Sequence, residues 1–450
     1  MRTAVVLFTR DLRVHDQPAL AQAAREAERV VPLFVLDDAI RNSDFVSRNR
    51  LGFLLEALSD LDRSLRQRGA SLVVRRGEVV EEVARFGGDA VWMGADVSAY
   101  AQARERGLRD RVPLRVVPSI TVVAPDALQP TGRDHYEVFS PYHRAWSRSE
   151  FRALEEPPGR LKLPEGLDPG RLPALAELAP GERAPEPMAP GGETQGRRRM
   201  QAWIEGGMAD YGARHQLDEA STSRLSPYLH FGCISPLELV RRAEGRKGGP
   251  AYIRQVAWRY FYHGLLRANP HTRRDELRPR GDRFEGEGEA LERWKEGATG
   301  YPIVDAGMRQ LLREGWMHNR ARLINASFLV KHLYVDWRLG AQHFFDHLLD
   351  GDVASNIGNW QWVAGTGVDT RPYRVYNPAL QAERHDPGGD YVRRWVPELA
   401  ELGAGEIHDP PAAARRRLGY PERIVEHREA VARFRAHRAA GSEQLELDVD

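Results

Sequence analysis

The run Ala4-Val-Val-Leu-Phe-Thr9 passes directly into Arg10-Asp-Leu-Arg-Val-His15. Its first part is short, apolar and rich in β-branched residues, the composition of a strand buried on both faces of a parallel sheet. Four more runs of this kind follow at Val30–Leu36, Ser71–Arg75, Ala90–Met93 and Leu114–Val117. Helical stretches separate them; the clearest puts Leu51, Leu54, Leu55, Leu58, Leu61 and Leu65 on one face. Strand–helix alternation at this tempo predicts a doubly wound, Rossmann-like parallel α/β domain over residues 1–130. Such a sheet offers a ligand crevice at its carboxyl edge. No glycine-rich phosphate fingerprint follows the first strand, however, so a plain scaffold and a nucleotide site both stay open.

Outward from this domain the composition changes. Fifteen of the 41 residues from Glu155 to Gln195 are proline or glycine, which reads as a long connection wrapped over a surface. We set the connector at residues 131–195, a helical domain at 196–440 and a frayed acidic tail at 441–450. The whole chain has 450 residues, a formal net charge of +1 and one cysteine, Cys233. That cysteine count excludes an intramolecular disulfide framework, a cysteine zinc site and an iron–sulfur cluster. No apolar run approaches the ~18 residues of a membrane span, and the start does not resemble a signal peptide, so a cytoplasmic protein is expected. With near-zero net charge, any nucleic-acid surface must be a local basic patch.

Eight of the ten tryptophans fall after residue 196. Trp360 and Trp362 stand among small and polar residues in Asn356-Ile-Gly-Asn-Trp-Gln-Trp362, a setting suited to stacking on a planar ligand or a base. Thr222-Ser-Arg-Leu-Ser226 is either an ordinary helix start or a pyrophosphate cradle. In Trp316-Met-His-Asn-Arg-Ala-Arg322, helical spacing sets Trp316, Asn319, Arg322 and Leu323 on one face and Arg320 aside. Arg322 needs a carboxylate partner, and Asp350-Gly-Asp352 supplies two. The latter fails the EF-hand pattern, and His343 and His347 lack the glutamate of a zinc protease helix. Arginine pairs at 320/322, 371/374 and 393/394 and the run Arg415–Arg417 are each a solvated face, or together a phosphate-tracking rim. Spacing alone thus yields an α/β domain joined to a helical domain able to hold a planar, phosphate-bearing cofactor.

These motifs, with Val256-Ala-Trp-Arg-Tyr-Phe-Tyr262, Thr299-Gly-Tyr-Pro-Ile-Val-Asp-Ala306 and Tyr391-Val-Arg-Arg-Trp-Val-Pro-Glu398, resemble the photolyase–cryptochrome family. The likeness is greatest to bacterial class I cyclobutane pyrimidine dimer photolyases. It implies a lyase that repairs UV-damaged DNA as a monomer: photoexcited FADH⁻ donates an electron to a flipped-out dimer, the ring opens and the electron returns. By this resemblance Tyr211, Thr222, Ser223, Arg224, Leu225, Ser226, Arg259, Trp316, Asn319, Arg322, Asp350 and Asp352 hold FAD. Asn356 faces flavin N5. Gln255, Trp258 and Trp362 meet the dimer, with Asn319 and Leu323 beside it and Arg320 and Arg374 on the DNA backbone.

Three positions depart from the usual pattern. Gln255 stands for a glutamate and Leu323 for a methionine, changes expected to alter efficiency and not substrate. Gln255 also resembles (6-4) photolyases, but Asn319 and Leu323 occupy the places of their histidines. The electron route to FAD has Trp360 and Trp337 but Phe284 in third place; Trp294 and Tyr301 are substitutes near by. A light-harvesting antenna is expected to be a deazaflavin, if one binds, because Gln102 lies near the glutamate of folate-binding members; Asp96 is its candidate contact. The alternative reading is a cryptochrome-like photoreceptor without repair. A nicotinamide-linked flavoprotein lacks its fingerprint. No metal is expected.

Overall fold

In the computed structural model, described residues are 1–447 except 125–126, 180, 219, 221, 285 and 370, with only the backbone for 442–447. The five expected strands form one parallel sheet: β1 (Thr3–Phe8), β2 (Arg29–Asp37), β3 (Val73–Gly77), β4 (Ala90–Gly94) and β5 (Leu114–Val117). Their order is β3-β2-β1-β4-β5, the doubly wound arrangement, with Val5 in register with Val31 and Val91.

Alternation along the strands feeds two cores. Val5, Leu7, Leu33, Val73 and Met93 pack on one face with Val79 and Leu108. Ala4, Val6, Phe8, Val74 and Trp92 face the other way, into a core continuous with the helical domain. The helix Arg48–Arg66 carries that continuity: Phe53 packs on Tyr228 and Phe231 with ring centroids 5.4 and 5.0 Å apart. The two domains therefore share buried surface and are not beads on a tether.

The Arg10–Arg13 turn closes this interface. Fully buried Arg13 donates to the carbonyls of Asp16, Ser119 and Gly232. Leu12 N–H donates to Phe231 O at 3.2 Å. Gly232 has φ +63, and a Cβ there would fall 2.0 Å from Arg10 O, so only glycine permits the approach. The segment after the first strand is an inter-domain clasp, which settles why it carries no phosphate fingerprint.

The connector follows a surface, as its composition suggested. Val74 N–H donates to Pro169 O at 2.8 Å, which covers the free edge of β3. Gly170, at φ +70, turns the chain there; its Cβ would lie 2.5 Å from Val74 O. Inside residues 131–195 the structure also holds the helix Phe139–Arg148, packed on the long helix Gly249–Ala268 through Phe139 and Tyr142 against Phe261.

Beyond Glu193 the chain is helical. A third core gathers Trp294, Trp337, Phe344 and Trp360. Arg438, fully buried on the last helix (His427–Leu447), pairs with equally buried Asp282 at 2.7 Å and donates to Ala364 O at 2.9 Å. The backbone at Gly441 abuts Gly281. The stretch read as a frayed tail thus continues the last helix to Leu447, because good helix formers follow Gly441; residues 448–450 lie outside the described ones.

Candidate functional site

A cavity of about 530 Å³ opens in the helical domain, and three helices supply much of its lining. Gln255, Trp258, Arg259 and Tyr262 come from Gly249–Ala268 at positions i, i+3, i+4 and i+7. Asn319, Arg322, Leu323 and Ala326 repeat that spacing on Asn319–Phe328. Asn356, Asn359, Trp360 and Val363 come from Val353–Ala364. Each helix therefore turns one stripe to the cavity, and the stripes mix polar and aromatic residues with a few aliphatic ones, Leu323, Ala326 and Val363. Tyr211, Thr222 to Ser226, Trp316, Asp350 and Asp352 also line it, as does Trp362 from the same helix as Asn356.

At one end the loop before Ser226 is built for an anion. Arg224 takes a left-handed backbone, φ +51, which costs a non-glycine residue free energy and marks a constrained position. Its guanidinium lies over the Trp316 ring, 4.7 Å from the centroid. Trp316 in turn donates to Ser226 Oγ at 3.3 Å, and Tyr252 O–H donates to Ser223 Oγ at 3.0 Å. The Thr222 hydroxyl is buried with no hydrogen-bond partner among the described residues. Such an orphan needs a partner from outside the protein, and a phosphate oxygen fits it.

The floor is charged and ordered. Arg322 makes a two-bond contact with Asp350, at 2.8 and 3.0 Å, and donates to Met317 O at 2.8 Å. This is the carboxylate partner that spacing called for. Asp352 caps Val353–Ala364 through Ser355 N–H at 2.9 Å. It also receives Arg10 at 2.9 Å and meets His263 at 3.3 Å. Burial alone would raise its pKa, but His263 and Arg10 hold it well below the usual carboxylate range. Arg10 reaches on to both oxygens of Asp96, at 3.0 Å each. A chain of charges thus runs from the sheet's carboxyl edge to the cavity floor.

Asn356 donates its amide N–H to Ala341 O at 2.9 Å, so what it offers the cavity is its carbonyl oxygen. At the rim Trp258 lies flat on Phe139, with centroids 3.7 Å apart and planes 5° from parallel. Trp362 is half-buried, and Arg374 sits 5.5 Å over its ring.

Most of the residues singled out from sequence converge here. Several do not line the cavity, Trp294, Tyr301 and Gln102 among them. Arg320 points aside to His215 at 3.1 Å, as its spacing required. Arg374 reaches the rim only through Trp362. Asp96, read as an antenna contact, spends its carboxylate on Arg10 in the inter-domain chain. Trp337 is fully buried, and Phe284 packs on Tyr334 at 5.2 Å. Trp360, 2 % exposed, is core on its outer side, edge-on to Trp294 and Phe344 at 6.2 and 5.0 Å. Sequence reasoning missed Phe139, Arg10 and His263. Phe139 carried a usable signal, since Phe139, Tyr142 and Trp146 keep helical spacing. Arg10 and His263 meet Asp352 across 342 and 89 residues, which no local pattern reports.

No metal-binding group of three or more ligands exists among the described residues, and no helix is long and apolar enough to cross a membrane. The cavity is suited to holding a planar, phosphate-bearing group with a second planar guest at the Trp258–Trp362 rim.

Comparison with known proteins agrees with this geometry. Residues 4–160 match the DNA photolyase family model, and residues 252–440 the model of the FAD-binding domain of DNA photolyase. A deoxyribodipyrimidine photo-lyase of Streptomyces griseus is 49% identical over 454 residues, covering 96% of this chain and 98% of that protein. The crystal structure of a class III photolyase from Agrobacterium tumefaciens has a TM-score of 0.91 at 33% identity, covering 98% of both chains. A Synechocystis cryptochrome structure has a TM-score of 0.88 at 27% identity, covering 97% of this chain and 99% of the other. With an FAD-binding domain laid over the cavity and an α/β partner domain clasped to it, the chain belongs to the photolyase–cryptochrome family.

Proposed function

We propose that this chain repairs UV-damaged DNA by splitting cyclobutane pyrimidine dimers in blue light, with reduced FAD as the bound group. The observation that carries the reading is the meeting, in one cavity, of Asn356 and the Arg322–Asp350 pair with the half-buried aromatic faces of Trp258 and Trp362. Thr222, Ser223, Arg224 and Ser226 would hold the pyrophosphate; Tyr211, Leu225, Arg259, Trp316, Asn319, Asp350 and Asp352 would line the rest. Bound and reduced, FAD supplies a photoexcitable electron donor.

The protein's own part is to bind, orient and exclude water. The Asn356 side chain, fixed by the bond to Ala341, would offer the bound group a neutral amide with its carbonyl oxygen free to accept, and so no formal negative charge. Trp258, braced by Phe139, gives a flipped base a rigid stacking face, and Trp362 gives the other wall. Gln255 can donate and accept at a thymine edge, where a glutamate could only accept. Leu323 supplies apolar bulk beside Asn319. Arg320 and Arg374 flank the opening and suit phosphate contacts. A monomer acting in the cytoplasm, at the nucleoid of a bacterium, fits this reading. For an antenna, Gln102 favours a deazaflavin over methenyltetrahydrofolate.

The test is a purified, chemically reduced protein mixed with an oligonucleotide bearing one thymine dimer, under blue light and in the dark. Loss of the dimer in light only is expected. Binding without loss, with reduced FAD present, overturns the repair reading in favour of a photoreceptor or another lesion.

Electron supply to the cavity is a separate matter. Phenylalanine is far harder to oxidise than tryptophan, so Phe284 ends the usual Trp360–Trp337 line early. Trp294, edge-on to Trp360, offers the better substitute; Tyr301 lies against Phe328, with its O–H on Val425 O. We expect Phe284→Trp to speed flavin photoreduction several-fold, as followed by bleaching of the oxidised band with a thiol present. An unchanged rate would mean the gap is immaterial.

A further inference from the structure

Lys331 is 2 % exposed, in a molecule where almost every other lysine and most arginines reach solvent. A buried ammonium is costly unless its hydrogens are used. Its Nζ donates to Arg374 O at 2.6 Å and to Pro372 O at 3.2 Å. Both carbonyls belong to one irregular loop, residues 371–376. That loop presents Tyr373, half exposed, and Arg374, whose guanidinium lies over Trp362 at the cavity rim.

The backbone around Lys331 is unusual. Leu329–Leu333 is a π-helical turn, closed by Tyr334 in a left-handed conformation, φ +58. A π-turn inserts a residue into the helical phase, and such turns recur at functional sites. Here it swings the ammonium under the loop. The groups around it are Asp369, Asp282, Arg438 and Arg374, with the Phe434 ring 5.6 Å from Nζ. Burial and the two arginines pull its pKa down to about 7 against the two carboxylates. Among the described residues the loop's other anchors are Tyr376 N–H to Ser327 Oγ at 3.4 Å, Arg371 N–H to Asp369 Oδ1 at 3.0 Å, the Tyr376 hydroxyl with Arg320, and an internal bond from Arg374 N–H to Arg371 O at 3.1 Å.

We propose that Lys331 is a positioning residue for damaged-DNA binding, tying down the 371–376 loop so that Arg374 stays on Trp362 and meets the lesion strand. This rests on the reading of the rim as the DNA site. Lys331 itself, buried beneath the loop, touches no DNA. Its contribution passes entirely through Arg374 and its neighbours.

Dark binding of the FAD-loaded protein to a duplex with one thymine dimer tests this, with Lys331→Met, Arg374→Gln and the double variant over a salt series. Each single change is expected to weaken binding about tenfold, and the double change to be no weaker than Arg374→Gln by more than about twofold. Arg374→Gln should lower the slope of log affinity against log salt by about one, and Lys331→Met should reproduce that lower slope. Loss of fold stability alone leaves the slope unchanged. Additive losses, or a wild-type slope in Lys331→Met, overturn the proposal. Wild-type affinity in Arg374→Gln instead overturns the DNA-site reading. Should Lys331→Met not fold, Lys331→Gln carries the same comparison: a shared lower slope supports the proposal and additive loss overturns it.

Discussion

Replacement of Asp352 by asparagine is expected to lower the unfolding free energy by about 3 kcal/mol and to strip much of the bound flavin. The substitution keeps shape and keeps an acceptor for Ser355 N–H, since asparagine also caps helices. What it removes is the charge that faces Arg10 and His263 on the cavity floor. Arg10 retains Asp96 and about a quarter of its side chain stays solvent-exposed, so the loss falls at the low end of the range for a broken buried pair. Urea midpoints and the flavin-to-protein absorbance ratio would report the two effects together. A variant with wild-type values of both would show that Asp96 alone satisfies Arg10 and that the floor needs no second carboxylate.

Acid should begin to destabilise this protein from about pH 6, above the range where carboxylates titrate. His318 and His332 are 3 % and 0 % exposed, and burial is the main cause that pulls both pKa values down to about 3. His318 must stay neutral for Nδ1 to accept Arg320 N–H, and His332 faces His427 at 2.8 Å. A histidine with a depressed folded-state pKa contributes stability that is complete above its unfolded value, near 6.5, and is lost as pH falls toward the folded one. At pH 4.5 each of the two would cost on the order of 2–3 kcal/mol, against a total stability of roughly 5–15 kcal/mol. Half-buried His343, also pulled down to about 3 by burial, acts in the same direction. Urea midpoints should therefore be flat above pH 7 and fall steeply between pH 6 and 4. A flat profile down to pH 4 would show that these rings titrate without unfolding the chain. His332→Gln should make the fall shallower.

The α/β domain was legible because buried parallel strands are continuous apolar runs, and all five appear within a few residues of their sequence positions. The cavity stripes were legible for a related reason: polar residues at helical spacing, as in Asn319 and Arg322, have no place in an ordinary core. Trp316, expected on the same helical face, instead reaches the cavity from the segment before that helix, which begins only at Asn319. The Arg322–Asp350 pair followed from the need to neutralise a buried guanidinium. What was hidden depends on distance along the chain. Arg10 and Asp352 form one ion pair from opposite domains, and nothing near either residue announces the other. The helix Phe139–Arg148 was lost to its surroundings, a short periodic stretch just before a run rich in proline and glycine. Trp360 was read by its neighbours in sequence, whereas its neighbours in space, Trp294 and Phe344, make one side of it core.

The Arg438–Asp282 pair has a consequence for biosynthesis. Arg438 also grips the carbonyl at the end of the helix that carries Asn356, Trp360 and Trp362. During translation, that helix leaves the ribosome long before Arg438 does, and the sheet domain can fold earlier still. Until the helix carrying Arg438 emerges, Asp282 keeps Tyr334 O–H as a partner but lacks its cation, and the carbonyl of Ala364 lacks its buried donor.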